Sequence, residues 1–168
     1  MAHNFLEQLI AEWYEFKGYF IRRNVLVGKR PKGGYECELD IVAFHPGENH
    51  LVHIEASMDA ARWSDREKRF KKKFDAGKKY IPSLFKGLKI PNNIEQIAIL
   101  IFASKSNRKS LGEGELMLGS ELLEKIFQDI QNHGTIYSHA IPEQFPILRA
   151  FQFVAQYKKD VCKLLLPK

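Results

Sequence analysis

Asp40 and Glu55 stand on either side of a short turn, and their chemistry suits them to work with a cation. The run ECELDIVAF, Glu36 to Phe44, alternates as far as Asp40 and then becomes apolar, as a strand does on entering a core. HPGEN reads as a turn, and HLVHIEAS, His50 to Ser57, as the returning strand of a hairpin. Side chains alternate faces along a strand, so Glu36, Glu38 and Asp40 share one side, as do His53, Glu55 and Ser57. Pairing through the short turn brings Asp40 and Glu55 together across the ladder. Two carboxylates that close repel one another unless a cation lies between them. A hard divalent ion such as Mg²⁺ accepts one or two carboxylates, waters and a phosphate oxygen. The backbone carbonyl of Ala56 offers a further oxygen. Such an ion acidifies a bound water and neutralises charge on a phosphate. Asp disfavours strand interiors, which speaks against Asp40 as ordinary surface; Glu36 suits that blander reading.

The elements that must position these groups are legible in the periodicity. Phe5, Leu6, Leu9, Ile10, Trp13 and Phe16 recur at helical spacing, with Asn4 as N-cap and Gly18 as stop, giving a first helix over Phe5 to Lys17. Tyr19 to Val27 reads as a strand and GKRPKGG as a basic turn before the hairpin. Asp59 to Ile81 is helical, with Trp63, Phe70, Phe74 and Ile81 on one side and Pro82 as stop or kink. QIAILIFA, Gln96 to Ala103, reads as a strand buried on both faces. SKSNRKSLGEGE is a polar loop, and Ser120 opens a helix ended by Gly134. A short strand over Thr135 to Ile141 and a last helix over Pro146 to Leu166 complete the chain. The order is helix, three strands, helix, strand, helix, strand, helix. We expect one α/β (α+β) domain over residues 1–168, with a central mixed sheet flanked by helices.

A chain of 168 residues is long enough to bury a core. Its 26 Lys and Arg against 20 Asp and Glu give a net charge of +6, concentrated between Arg62 and Lys79. A basic cluster of that kind attracts polyanions by counterion release, so nucleic acid is the expected partner, with Arg62, Arg66, Arg69, Lys72 and Lys73 as contacts. Cys37 and Cys162 are far apart and lack a metal-ligand spacing, which excludes a disulfide framework and fits a reducing cytoplasm. No run reaches membrane length, so a soluble cytoplasmic protein is expected. The histidines have no metal spacing; His53 and His139 read as strand-surface residues. The GEG of residues 112–114 lacks the context of a phosphate loop, and the aromatics sit at core spacings.

The order ECELDIVAF, turn, LVHIEAS resembles the core motif of the PD-(D/E)XK, or restriction-endonuclease-like, superfamily, in which an Asp ends one strand and Glu-x-Lys lies on the next. Upstream, LEQLIAEWYEFKGYFIRRNV is similar to the first helix and strand of archaeal Holliday-junction resolvases and their bacterial relatives, with Glu7, Gly18, Tyr19 and Asn24 at corresponding positions. The resemblance covers roughly Asn4 to Ser57 and the basic helix that follows, and it fades in the C-terminal half. It implies a restriction-endonuclease-like core and a Mg²⁺- or Mn²⁺-dependent nuclease acting on DNA, of restriction, repair or mobile-element type. Asp40 and Glu55 would be metal ligands, with Glu7 reaching the metal-bound water or a second metal. Glu38 matches an acidic residue often found two places before the Asp, an orienting or surface position. Enzymes of this kind that cut both strands often work as homodimers.

The sequence departs from the motif at Ser57, where the family has lysine. A serine hydroxyl can orient water but carries no charge; by residue type alone, a strand-end hydroxyl capping the chain before the helix is the commoner role for Ser57. The resemblance offers a remedy, because members of the superfamily sometimes move the lysine to a neighbouring helix. Lys73, beside the stripe of Phe70 and Phe74, is the first choice, ahead of Arg66 and Lys72. The alternative is a nuclease fold that binds nucleic acid without catalysis, or a structural subunit of a larger nucleic-acid complex.

Overall fold

The computed structural model describes residues 4–166. The chain forms two compact units, Met1–Gly119 and Ser120–Lys168. In the first, α1 (Phe5–Phe16) precedes the strands β1 (Phe20–Lys29), β2 (Tyr35–His45) and β3 (His50–Ser57). After these come α2 (Trp63–Leu84), β4 (Glu95–Leu100), β5 (Ser110–Leu111) and β6 (Gly114–Leu118). They build one six-stranded mixed sheet in the order β1-β2-β3-β4-β6-β5. The first three strands pair antiparallel, β4 lies parallel to both β3 and β6, and β5 pairs antiparallel with β6. This is the mixed α/β architecture expected from the pattern.

Both helices on the sheet follow from local chemistry. Asn4 caps α1 by accepting from the Leu6 N–H at 3.1 Å, and Leu6, Leu9, Ile10 and Trp13 are buried along one stripe. In α2 the buried stripe is Arg66, Phe70, Phe74, Gly77 and Ile81, spaced at three and four residues. Burying a ring such as that of Phe74 stabilises the fold by about 2 kcal/mol. Pro82 sits in the last turn without stopping the helix, which runs on to Leu84.

Sequence expectations change in both units, and here the strand expected over Gln96 to Ala103 ends at Leu100, with Phe102 exposed. The polar loop after β4 contains β5 and β6, joined by a tight two-residue turn at Gly112 and Glu113, with φ of 58° and 72°. Positive φ at both positions marks the hairpin turn that matches sheet twist. Glu at the second position hid it, because Gly or Asn is the usual signal there. The helix expected from Asp59 begins only at Trp63, since Asp59 caps a turn by accepting from the Ala61 N–H at 3.0 Å.

In the second unit, α3 (Gly119–His133, begun by the last residue of the first unit) leads through a loop to α4 (Pro146–Gln156) and α5 (Lys158–Leu165). The strand expected over Thr135 to Ile141 does not form. The Ser138 and His139 N–H groups both turn back to the Thr135 carbonyl, at 3.3 and 2.8 Å. The buried Gln152 amide then fastens the loop, accepting from Ile141 N–H at 2.9 Å and donating to the carbonyls of His139 and Gly134 at 2.8 and 3.1 Å. The single last helix expected to Leu166 is two, interrupted at Tyr157. Phe127 stacks on Phe151 at 5.4 Å, so these rings are packing groups. No helix among the described residues is long and apolar enough to cross a membrane.

Candidate functional site

The β2–β3 ladder carries Ile41 opposite Ile54, and Asp40 and Glu55 are the next residues outward on each strand. Beyond that point their carboxylates take over the backbone groups. Asp40 Oδ2 accepts from the Ala56 N–H at 3.0 Å, and Glu55 Oε1 from the Asp40 N–H at 3.3 Å. On the other side of Asp40, Asn24 in β1 has φ of 52° and interrupts the pairing between Arg23↔Ile41 and Val25↔Leu39. The sheet thus loosens around Asp40 and opens a cleft of about 190 Å³, lined by Glu7, Asp40, Glu55, Ala56, Ser57, Asp59, Arg69, Phe70 and Lys73. The cleft lies at the carboxyl end of β3, where parallel strands β3 and β4 leave the sheet.

Lys73 enters this cleft from α2. Its Nζ donates to Asp40 Oδ1 and to Glu55 Oε2. Burial pulls its pKa down, but the charges of Glu55 and Asp40 outweigh that and hold it above the usual lysine value, so it stays an ammonium. Burial, and then the Glu55 charge, pushes the Asp40 carboxyl up to about 6 against the pull of Lys73. Burial likewise raises Glu55, which is 1 % exposed, although Lys73 opposes it. Glu7, held by the Asn4 amide at 2.8 Å, is raised by burial and by the charge of Asp40. One ammonium serves a group of three carboxyls, and the balance is negative.

Behind Glu55 lies a chain of buried polar groups that the sequence reading missed. His53 was expected at a strand surface; it is completely buried, with Nε2 2.8 Å from Glu55 Oε1. Gln96 Nε2 donates to the Phe74 carbonyl at 2.8 Å and lies 3.2 Å from His53 Nδ1. A carbonyl only accepts, so the amide group facing it is the NH₂, and its second hydrogen meets a lone pair on Nδ1. The proton of the neutral ring is therefore on Nε2, donated to Glu55. Burial first, then the Lys73 charge, lowers the His53 pKa to about 3, so the ring is neutral. The signal for this arrangement was Gly77, a glycine on the buried stripe of α2. A Cβ there would lie 2.2 Å from His53 Nδ1, so only glycine admits the ring beneath the helix.

The remaining expected residues divide. Ser57 lines the cleft, and its Oγ accepts from the Asp59 N–H at 3.2 Å and Arg69 Nη2 at 3.3 Å, the arrangement of a local cap. Arg69 also binds Asp59, whose carboxyl falls to about 2: burial opposes the shift, and the Ala61 N–H, Ser57 and Arg69 prevail. Arg66, expected on a nucleic-acid face and considered as a substitute for the lysine, is only 3 % exposed. Its guanidinium donates to the carbonyls of Asp59 and Phe102, so it is a buried brace and cannot meet a phosphate. Arg62 and Lys72 are exposed. Much of the helix's excess charge is spent internally, Lys71 and Lys78 on Glu113, and Lys79 on Glu36. Ala56 lines the cleft and gives its N–H to Asp40.

Comparison with known proteins adds little to this geometry. No family model matches the chain, and no curated protein matches it. Among solved structures it is similar to the protein of unknown function AF1548, at 14 % identity and a TM-score of 0.44, over 92 % of this chain and 98 % of that one.

Proposed function

We propose that the chain is a divalent-metal-dependent nuclease that cleaves phosphodiester bonds in nucleic acid, with DNA as the expected substrate, at the cleft of Asp40, Glu55 and Lys73. The observation that carries this reading is the Lys73 ammonium, bonded to both carboxylates in the cleft lined by Ser57. A lysine charge from α2 there offsets the charge that the strand position lacks.

The donor set fits a hard cation. Among the described residues no three His, Cys, Asp or Glu side chains form a ready cage, but Mg²⁺ seldom uses one, keeping waters and taking one or two carboxylates with substrate phosphates. Asp40 and Glu55 would hold it, with the Ala56 carbonyl and Glu7 at the margin. The excess negative charge over one ammonium favours that occupancy. When bound, the ion would supply Lewis acidity toward a phosphate oxygen and an acidified water.

The chain's own groups have distinct parts in this reading. Lys73 stays protonated, so it acts as a hydrogen-bond donor and a fixed positive charge toward phosphate and water, not as a base. Glu7, made more basic by burial and by Asp40, is suited to take a proton from water. His53, donating from Nε2, fixes the orientation of Glu55 as an outer-shell partner does for a metal-ligating carboxylate. The test is incubation of the purified chain with single-stranded, duplex and branched DNA and with RNA, in Mg²⁺ or Mn²⁺ and in EDTA. Metal-dependent cleavage that disappears in Asp40→Ala is expected; absence of cleavage on every substrate, or its persistence in that variant, overturns the reading.

A further inference from the structure

Beside the cleft, where β4 ends, the chain presents an aromatic side chain that the core does not use. Phe102 is 64 % exposed, although it directly follows the buried strand EQIAIL and Ile101. Its backbone is not loose. The Ile101 N–H donates to the Ser57 carbonyl at 3.2 Å, and the buried Arg66 guanidinium donates to both the Phe102 carbonyl, at 3.0 Å, and the Asp59 carbonyl. Ser57 and Asp59 line the cleft, so the brace that shapes its lip also fixes Phe102 beside it. The same guanidinium lies 5.4 Å from the Trp63 ring, whose other cation is Arg108, with Cζ 4.4 Å from the ring centre. An exposed phenyl ring thus stands on a braced backbone, and the guanidinium that braces it also meets the Trp63 ring on which the exposed Arg108 lies.

A solvated phenyl ring forgoes the stabilisation of burial, and a flat apolar partner restores it. The partner that matches is a nucleobase: every base has a π-face, and the exposed Arg108 guanidinium on Trp63 suits a phosphate of the same strand. In a regular duplex those faces are covered by stacking, so only an unpaired or flipped base can reach the ring. Resting on the nuclease reading of the cleft, which would hold the neighbouring phosphate, we infer that Phe102 is a stacking platform for an unpaired nucleobase. The substrate class this assigns is nucleic acid with single-stranded character at the cut: single strands, flaps, or junctions with unstacked bases.

The experiment measures binding in EDTA, where cleavage does not enter. The probe is a twelve-nucleotide DNA carrying 2-aminopurine, used as a single strand and as a duplex, with the full chain. Wild-type protein should quench the fluorophore in the single strand, the signature of stacking. Phe102→Ala should bind the single strand about tenfold more weakly and lose the quench, in line with the loss of one base–aromatic stack. Phe102→Trp should retain both, and Phe102→Leu, with apolar bulk but no π-face, should lose both. Duplex affinity should be the same in all four proteins. Equal single-strand binding by Phe102→Ala, retention by Phe102→Leu, an equal loss on duplex, or no quench in the wild type would each overturn the platform. Failure of the nuclease reading has a separate signature, a quenched and tightly bound strand that no metal causes to be cut.

Discussion

The His53 imidazole and the Gly77 backbone share a space with no room for a methyl group: a Cβ on residue 77 would lie 2.2 Å from Nδ1 and 2.5 Å from Cε1. That close approach lets a histidine sit under α2 and hold Glu55 from behind. Alanine in a helix interior ordinarily gains about 0.5–1 kcal/mol over glycine. Here Gly77→Ala should destabilise by about 1–3 kcal/mol, because the ring or the helix must shift. Thermal or urea unfolding reads the sign directly, and a more stable variant would show that the ring is not held there.

The position of Lys73 predicts a transferable charge. Lys73→Ala should abolish metal-dependent cleavage, and it should destabilise the fold by roughly 3 kcal/mol, since it leaves two carboxyls buried without a cation. Ser57 shares the face of Glu55 and lines the same cleft. The double variant Lys73→Ala, Ser57→Lys should therefore regain cleavage at least tenfold over Lys73→Ala alone. A double variant as inactive as the single one would show that the charge must come from α2.

Asp40 predicts a pH-dependent stability difference. Its folded pKa, about 6, is raised above the ordinary 3.8. Between these values the folded state binds more protons than the unfolded state, so its contribution is present below about pH 4 and is lost as pH rises through 6. Asp40→Asn removes that term. Relative to wild type, the variant should gain little at pH 4 and up to roughly 3 kcal/mol at pH 7, taking 1.36 kcal/mol per pKa unit. Urea denaturation at pH 4, 5, 6 and 7 measures it; a difference that does not change with pH would contradict the raised pKa.

The engaged and free cations of α2 and its N-cap Arg62 should differ in their effect on nucleic-acid binding. Each phosphate contact contributes about one unit to the slope of log affinity against log salt. Arg62→Ala and Lys72→Ala should each lower that slope by about 1. Lys71→Ala and Lys78→Ala should change it much less, because Glu113 already engages both amines. Titrations at several salt concentrations distinguish the two pairs, and equal effects from all four would argue against a specific face.

Periodicity alone determined the first helix, the hairpin that carries Asp40 and Glu55, the long basic helix and the buried β4, because each is written in local spacing. Three features were not written in local spacing. His53 looked like a surface residue until α2 covered it, and Gly77, the one residue that permits this, lies 24 positions away in the chain. Arg66 read as a phosphate contact, but carbonyls from Asp59 and Phe102 bury it. Residues Thr135 to Ile141 had a strand's composition, yet local turns and the Gln152 amide satisfy their backbone instead. The sequence by itself determined which groups carry charge and which strands carry the carboxylates. Only the tertiary structure decided which cation meets them, because a lysine on a helix has no register with a strand until both pack on one sheet. Lys73 reaches Asp40 and Glu55 because Phe70, Phe74 and Ile81 bury α2 against the sheet in that one setting.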